Sequence, residues 1–201
     1  MVLSDSTIRS FISEGKIGIK PYQEKLVQPA SLDLTLGNHF RWSRTVQGED
    51  CFLNVIDTRN PPKSTCNKEI RFDWKNEDGE PVDEFGNVFF KIDPGRFVLA
   101  CTAEHITIPS GIKAQVCGKS SWGRCGLFVE NAGFIDPGFS GILTLELFNA
   151  KEWPILLYPG MRICQIEFQE LDKPAENPYG SAKLGSHYQS QTGATESRFS
   201  I

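Results

Sequence analysis

The chain has 201 residues and a formal charge of −4, with 21 Lys and Arg against 25 Asp and Glu. That length supports one domain with a real core, and the acidic balance argues against a broad nucleic-acid-binding face. No long apolar run and no basic-plus-hydrophobic leader occurs, so a soluble, unexported, cytoplasmic protein with no membrane partner is expected.

Ile8, Phe11 and Ile12 recur at helical spacing after Ser4-Asp5-Ser6, with Gly15 as a stop. This predicts one short amphipathic N-terminal helix. Leu32, Leu34 and Leu36 alternate with Asp33 and Thr35, as in a half-buried strand. Asp33 is expected to be structural, tying a backbone turn. Residues 43–90 change character: Asn60-Pro61-Pro62, Asn76 to Pro81 and several charges bring turn chemistry. Phe52, Phe72, Trp74 and Phe85 point to short strands or hairpins there, read as a surface insertion. From Phe89 the strands return. Phe97 to Thr102, Ile106 to Ile108, Ala114 to Cys117, Ile142 to Phe148, Ile155 to Tyr158 and Ile163 to Phe168 are short runs separated by Gly and Pro turns. A mainly β, barrel or jelly-roll-like fold follows, with no second helix and no internal repeat. After Pro174 the composition turns polar, which predicts a mobile tail at about 175–201.

Six cysteines lack any C-x-x-C pair, and His39, His105 and His187 are scattered. Buried free thiols are expected, and no metal-ligand spacing is present. A zinc nucleobase deaminase would need H-x-E with P-C-x-x-C, and neither occurs.

The chemistry concentrates between Gly118 and Leu147. Lys119 and Arg124 bracket Ser120, Ser121, Trp122 and Gly123. A guanidinium fork and a mobile ammonium suit phosphate oxygens, although a solvated turn with two surface charges reads equally well for the isolated segment. Asp136-Pro137-Gly138 is a turn signature, which makes Asp136 by itself a turn former. In the next run Ile142, Thr144, Glu146 and Phe148 share one strand face, and Leu143, Leu145 and Leu147 the other. Glu146 is thus flanked by apolar residues. On an outward face it is a solvated acid; lining a pocket, it gains proton affinity and suits proton shuttling.

Taken together, Gly118-Lys119-Ser120-Ser121-Trp122-Gly123-Arg124, Ala132-Gly133-Phe134-Ile135-Asp136-Pro137-Gly138-Phe139-Ser140-Gly141 and Leu145-Glu146-Leu147 resemble the dCTP deaminase family of the dUTPase-like superfamily. Gln28 to Leu34, Pro159 to Gln165 and Tyr188 to Ala194 extend the resemblance to most of the chain outside about 43–90. It implies a single dUTPase-like domain with a C-terminal lid, assembled as a homotrimer with active sites at subunit interfaces. Lys119 through Arg124 would cradle the triphosphate, and Asp136 would contact the sugar 3′-hydroxyl. Thr144, Leu145 and Glu146 would read the pyrimidine; Gln165, Tyr179, His187 and Gln191 would complete the phosphate and lid contacts. Magnesium would travel with the triphosphate, and no zinc is implied.

The implied reaction is water attack at C4 of dCTP. Glu146 would shuttle the proton, Ser120 and the Ala132 carbonyl would orient the water, and Arg124 would stabilise developing charge. The 132–139 segment resembles bifunctional members that also cleave dUTP to dUMP and diphosphate, with Asp136 aligning the second water. Two departures stand out. In Val129-Glu130-Asn131-Ala132 the three residues after Val129 stand in place of the four-residue His-x-Thr-Ala run associated with dTTP inhibition, one residue shorter, and His187 stands where Lys is common. A neutral imidazole holds phosphate less firmly than an ammonium. A dUTPase without deaminase activity, and a non-catalytic nucleotide sensor using residues 43–90 as its partner surface, are the alternatives.

Overall fold

The computed structural model describes residues 1–42, 68–71, 87–130 and 133–198. Its elements are α1 (Asp5–Ser13), β1 (Gly18–Lys20), a 3-10 turn (Glu24–Leu26), β2 (Val27–Gln28), β3 (Ser31–Thr35), β4 (His39–Trp42), β5 (Lys68–Arg71) and β6 (Phe90–Ile92). They continue with β7 (Phe97–Thr107), β8 (Ile112–Gly118), α2 (Ser120–Arg124), β9 (Leu127–Glu130), β10 (Ser140–Asn149), β11 (Ile155–Leu157) and β12 (Arg162–Glu170).

The N-terminal helix is as expected. Ile8 is fully buried, Phe11 and Ile12 pack on the core, and Arg9 pairs with Asp5 one turn back at 2.6 Å. The expectation of no second helix is corrected by α2, whose five residues are too few to show a 3.6-residue period. Likewise the two runs around Thr102 and Ile106 are one strand, β7, because Glu104 lies inside it instead of breaking it.

Strands β5-β4-β7-β10-β9 follow one another in one antiparallel sheet, with β1 also pairing β7. A second sheet runs β2-β3-β12-β8, and β11 pairs β6. The barrel half of the fold expectation is corrected: among the described residues no sheet closes on itself, and β5 and β9 remain as edges. The mainly β, antiparallel character stands. Of the 43–90 segment, β5 pairs β4, and Val88 and Phe90 are buried; Phe40 stacks on Phe90 at 4.2 Å. Phe52, Phe72, Trp74 and Phe85 lie outside the described residues.

Two features of the core position the functional surface. Leu143, Leu145 and Leu147 are buried, each worth about 1.5–3 kcal/mol, and this turns Thr144, Glu146 and Phe148 outward. A one-residue slip of β10 would exchange the two faces, so the apolar set dictates where Glu146 points. The β7–β10 ladder also carries a register shift between Ile142 and Thr144. There Thr102 Oγ1 accepts from Leu143 N at 3.1 Å and donates to the Glu104 carbonyl at 2.9 Å, so the irregularity is satisfied internally.

The thiols divide more than expected. Cys101 and Cys164 are buried, but Cys117 is partly exposed and Cys125 exposed; all four are free. Cys51 and Cys66 lie outside the described residues.

Candidate active site

A cleft of about 720 Å³ opens on the outward face of β10. Thr144 and Glu146 form its floor, Asp136 and Phe134 line it from the turn before β10, and Tyr179, His187 and Gln191 line it from the C-terminal segment.

The turn is built from local chemistry. Asp136 O accepts from Phe139 N at 3.1 Å, and Gly138 adopts φ +93°. Only glycine fits easily here, since a Cβ at 138 would lie 2.7 Å from Pro178 Cβ and 2.8 Å from Tyr179 O. The close approach lets the tail dock. Tyr179 N donates to Pro137 O at 2.7 Å, and the Tyr179 ring lies 5.9 Å from that of Phe139.

The C-terminal segment, expected to be mobile, is laid along β10. Ser190 N donates to Ser140 O at 2.8 Å and Ile142 N donates to Gln191 O at 2.9 Å, extending the sheet edge-on. Gln189 accepts from Ser140 N at 3.0 Å and donates to Gly138 O at 3.1 Å. Thr144 Oγ1 accepts from Thr195 N at 3.0 Å and donates to Gln191 Oε1 at 3.4 Å. Farther along, Arg41 Nη1 meets Glu196 at 2.6 Å. Tail and strand therefore enclose the cleft together, and two of the residues read from sequence, Thr144 and Gln191, touch.

Glu146 is half-buried. Burial first, and the neighbouring Glu130 carboxylate second, push its proton affinity above the ordinary carboxylate range. A carboxyl of raised proton affinity placed in a cleft is a candidate to take and return a proton.

The other residues read from sequence lie elsewhere in the protomer. Lys119 precedes α2, and Ser120 through Arg124 form it; none of them lines the cleft. Lys119 Nζ contacts Asp33 at 2.6 Å, and Arg162 reaches the same carboxylate at 3.4 Å. Asp33, 1% exposed, is therefore structural through this ion pair and not through a backbone turn, which corrects the expectation. Trp122 Nε1 donates to the Arg162 carbonyl at 2.7 Å. Gln165 sits on β12 opposite Asp33, where its Oε1 accepts from Ser31 at 3.4 Å. Leu145 is fully buried, so only its backbone can face a ligand. Ala132 lies outside the described residues. The chain thus presents two separate groups: an acidic, partly apolar cleft on β10, and a cationic group around α2, β3 and β12.

Sequence reasoning missed Leu99, Leu184 and Thr195, which also line the cleft. Leu99 comes from its register opposite Glu146, and Thr195 from tail docking. Neither signal is local. Among the described residues no group of three or more His, Cys, Asp or Glu suited to a metal ion occurs, and no helix is long and apolar enough to cross a membrane.

A family model described as dCTP deaminase-like matches residues 2–171. A protein of Corynebacterium glutamicum (strain R) named dCTP deaminase, dUMP-forming, is 42% identical over 199 residues, covering 98% of this chain and 96% of that protein. A protein of the same name from Sulfurihydrogenibium sp. (strain YO3AOP1) is 44% identical over 198 residues, covering 98% and 97%. Among solved structures, 2′-deoxycytidine 5′-triphosphate deaminase from Agrobacterium tumefaciens is similar with a TM-score of 0.57 and 25% identity over 84% of this chain. The chain spans about half, 48%, of that solved chain.

Proposed function

The chain belongs to the dCTP deaminase-like family, and from that premise we propose that it hydrolyses dCTP to dUTP and ammonia, then cleaves dUTP to dUMP and diphosphate in the same site. The observation that carries the deamination step is Glu146: a half-buried carboxyl of raised proton affinity on the floor of a nucleotide-sized cleft. The coupled second step is supported by the relatives, whose name specifies dUMP as the product.

In this reading residues 1–201 act as one domain in the cytoplasm, with the segment from about 175 as the lid. Thr144, Glu146 and the Leu145 backbone address the pyrimidine, and Asp136 holds the sugar hydroxyl and aligns the water that attacks the α-phosphate. Tyr179, His187 and Gln191 close over the nucleotide and exclude water. Ser120 and the Ala132 carbonyl orient the attacking water at C4, and Arg124 stabilises the charge that develops.

The triphosphate carries several negative charges, yet His187 is the one basic side chain among the described residues that line the cleft. In this reading Lys119, Ser120, Ser121, Trp122, Gly123, Arg124 and Gln165, which do not line the cleft, come from a neighbouring protomer of a homotrimer with shared sites. An exposed aromatic row supports the same assembly. Phe97, Phe148 and Phe128, 52%, 37% and 51% exposed, are paired in register across β7, β10 and β9, immediately beside Glu146. Magnesium would travel on the triphosphate oxygens and not in a protein cage. When bound, the ion neutralises phosphate charge. The shortened 129–132 segment leaves dTTP as an inhibitor to be tested by titrating it into the dCTP assay.

Product analysis tests the reading. Incubation with dCTP and magnesium should yield ammonia, dUMP and diphosphate. Ammonia with accumulating dUTP would remove the second step; dUTP cleavage with dCTP untouched would remove the deamination.

A further inference from the structure

We propose that Glu130, directly opposite Glu146 across β9 and β10, is a positioning residue for proton transfer: its charge governs how readily Glu146 takes and holds the proton of water. The proposal rests on the reading of Glu146 as the proton shuttle and adds a residue to it.

The geometry is set by register. Glu146 pairs with Glu130, and the adjoining outward pair is Phe148 with Phe128. Leu127 and Val129 are buried on β9, as Leu145 and Leu147 are on β10, so both carboxylates point to the same outward face. Side chains directly opposed on antiparallel strands have Cβ atoms roughly 4.5–5.5 Å apart, and like charges in that position repel. Repulsion is relieved when one member holds a proton.

The surroundings decide which one. Glu130 is exposed and keeps its hydration. Glu146 is half-buried, with Thr144 and Phe148 beside it on its own strand and Leu99 opposite on β7. Burial penalises the charged form at Glu146, and the Glu130 charge adds to the penalty. Two carboxyls whose environments push their proton affinities apart form a recurring acid–base arrangement. The other titratable groups facing the pair are Asp136 of the turn, Tyr179, His187 and Tyr188 of the lid, and Cys117 of β8, which feels Glu130. Within one chain, burial and the Glu130 carboxylate are the influences that raise the proton affinity of Glu146.

Deamination makes double use of such a group. Water oxygen bonds to C4 while one water proton moves to Glu146 and the C4–N3 π pair moves to N3. Glu146 then delivers that proton to N3. The proton of the new hydroxyl passes through Glu146 to N4, the C4–O double bond forms, and the C4–N4 bond breaks with its electron pair leaving on ammonia. A carboxyl that takes and gives a proton twice per turnover works best with an affinity near the working pH.

The test follows the Glu146 carboxyl by ¹³C NMR in full-length protein labelled at the glutamate carboxyl carbon, with Glu146→Gln to assign the signal. In Glu130→Gln the midpoint should fall by about half to one pH unit, and Glu130→Asp should restore most of it. The acidic limb of dCTP-dependent ammonia release should move to lower pH by the same amount. Glu130→Ser serves as a second neutral variant if the first does not fold. An unmoved midpoint in a folded neutral variant overturns the proposal, as does a moved midpoint with an unmoved rate limb. Titration is read without substrate, so a parent protein that releases no ammonia from dCTP defeats the functional reading separately.

Discussion

Replacing Gly138 by Ala isolates what the turn does for docking of the C-terminal segment. Its φ of +93° imposes a left-handed penalty of about 1–2 kcal/mol on any side chain. The new Cβ would also lie 2.7 Å from Pro178 Cβ and 2.8 Å from Tyr179 O, so the segment around Tyr179 must shift. Moving Tyr179 gives up its 2.7 Å bond to Pro137 O, worth about 0.5–1.5 kcal/mol, and its ring contact with Phe139, worth about 0.5–1.5 kcal/mol. Together the docked C-terminal segment loses about 1–3 kcal/mol, so its undocked population rises roughly 5–150-fold. Gly95→Ala is the control, because Gly95 also has positive φ, +68°, but nothing stands within 4 Å of its Cβ. Native-state limited proteolysis should cut the 175–198 segment at least about 5-fold faster in Gly138→Ala than in the parent, and at the parental rate in Gly95→Ala. Equal cleavage in the two variants would refute close packing at Gly138 as what seats the C-terminal segment.

Glu146→Gln should lower dCTP deamination by about 10²–10⁴-fold while dCTP still binds, measured by ammonia release and by calorimetry. If sites are shared between protomers as proposed, a mixture of refolded Glu146→Gln and Arg124→Ala chains should recover activity that neither has alone, since some mixed sites would hold both intact residues; no recovery would count against shared sites. Burial pushes the Glu104 carboxyl above its ordinary range, against the bonds it accepts from Thr35 N at 3.0 Å and Thr35 Oγ1 at 2.6 Å. Its folded form binds the proton more tightly than its unfolded form, so its contribution favours folding below the unfolded value of 4.5 and is lost as pH rises through the folded value. Glu104→Gln should therefore flatten the fall in thermal midpoint across that rise, read from melting curves at a series of pH values.

The strand face and the turn that line the cleft were legible along the chain because their cues are local. The alternation from Ile142 to Phe148 assigns Glu146 to a face through the fixed two-residue period of a strand. Asp136-Pro137-Gly138 announces its turn through the dihedral demands of proline and glycine, and Gly138 adopts the positive φ that the turn needs. The short helix at Asp5–Ser13 is written in Ile8, Phe11 and Ile12. The single-turn helix α2 left no such trace, since five residues cannot display a period.

Sequence by itself determined the family, the strand-rich character and the faces of β10. Only the tertiary structure decided what meets those faces. That Glu146 lies opposite Glu130, that Asp33 is claimed by Lys119 and Arg162, and that residues 119–124 stand apart from the cleft are facts of register and sheet order. Register is chosen when the buried leucines of one strand pack against the core already formed by others. The partner of an outward residue is therefore set by apolar contacts on the opposite side of the sheet, and by segments distant along the chain.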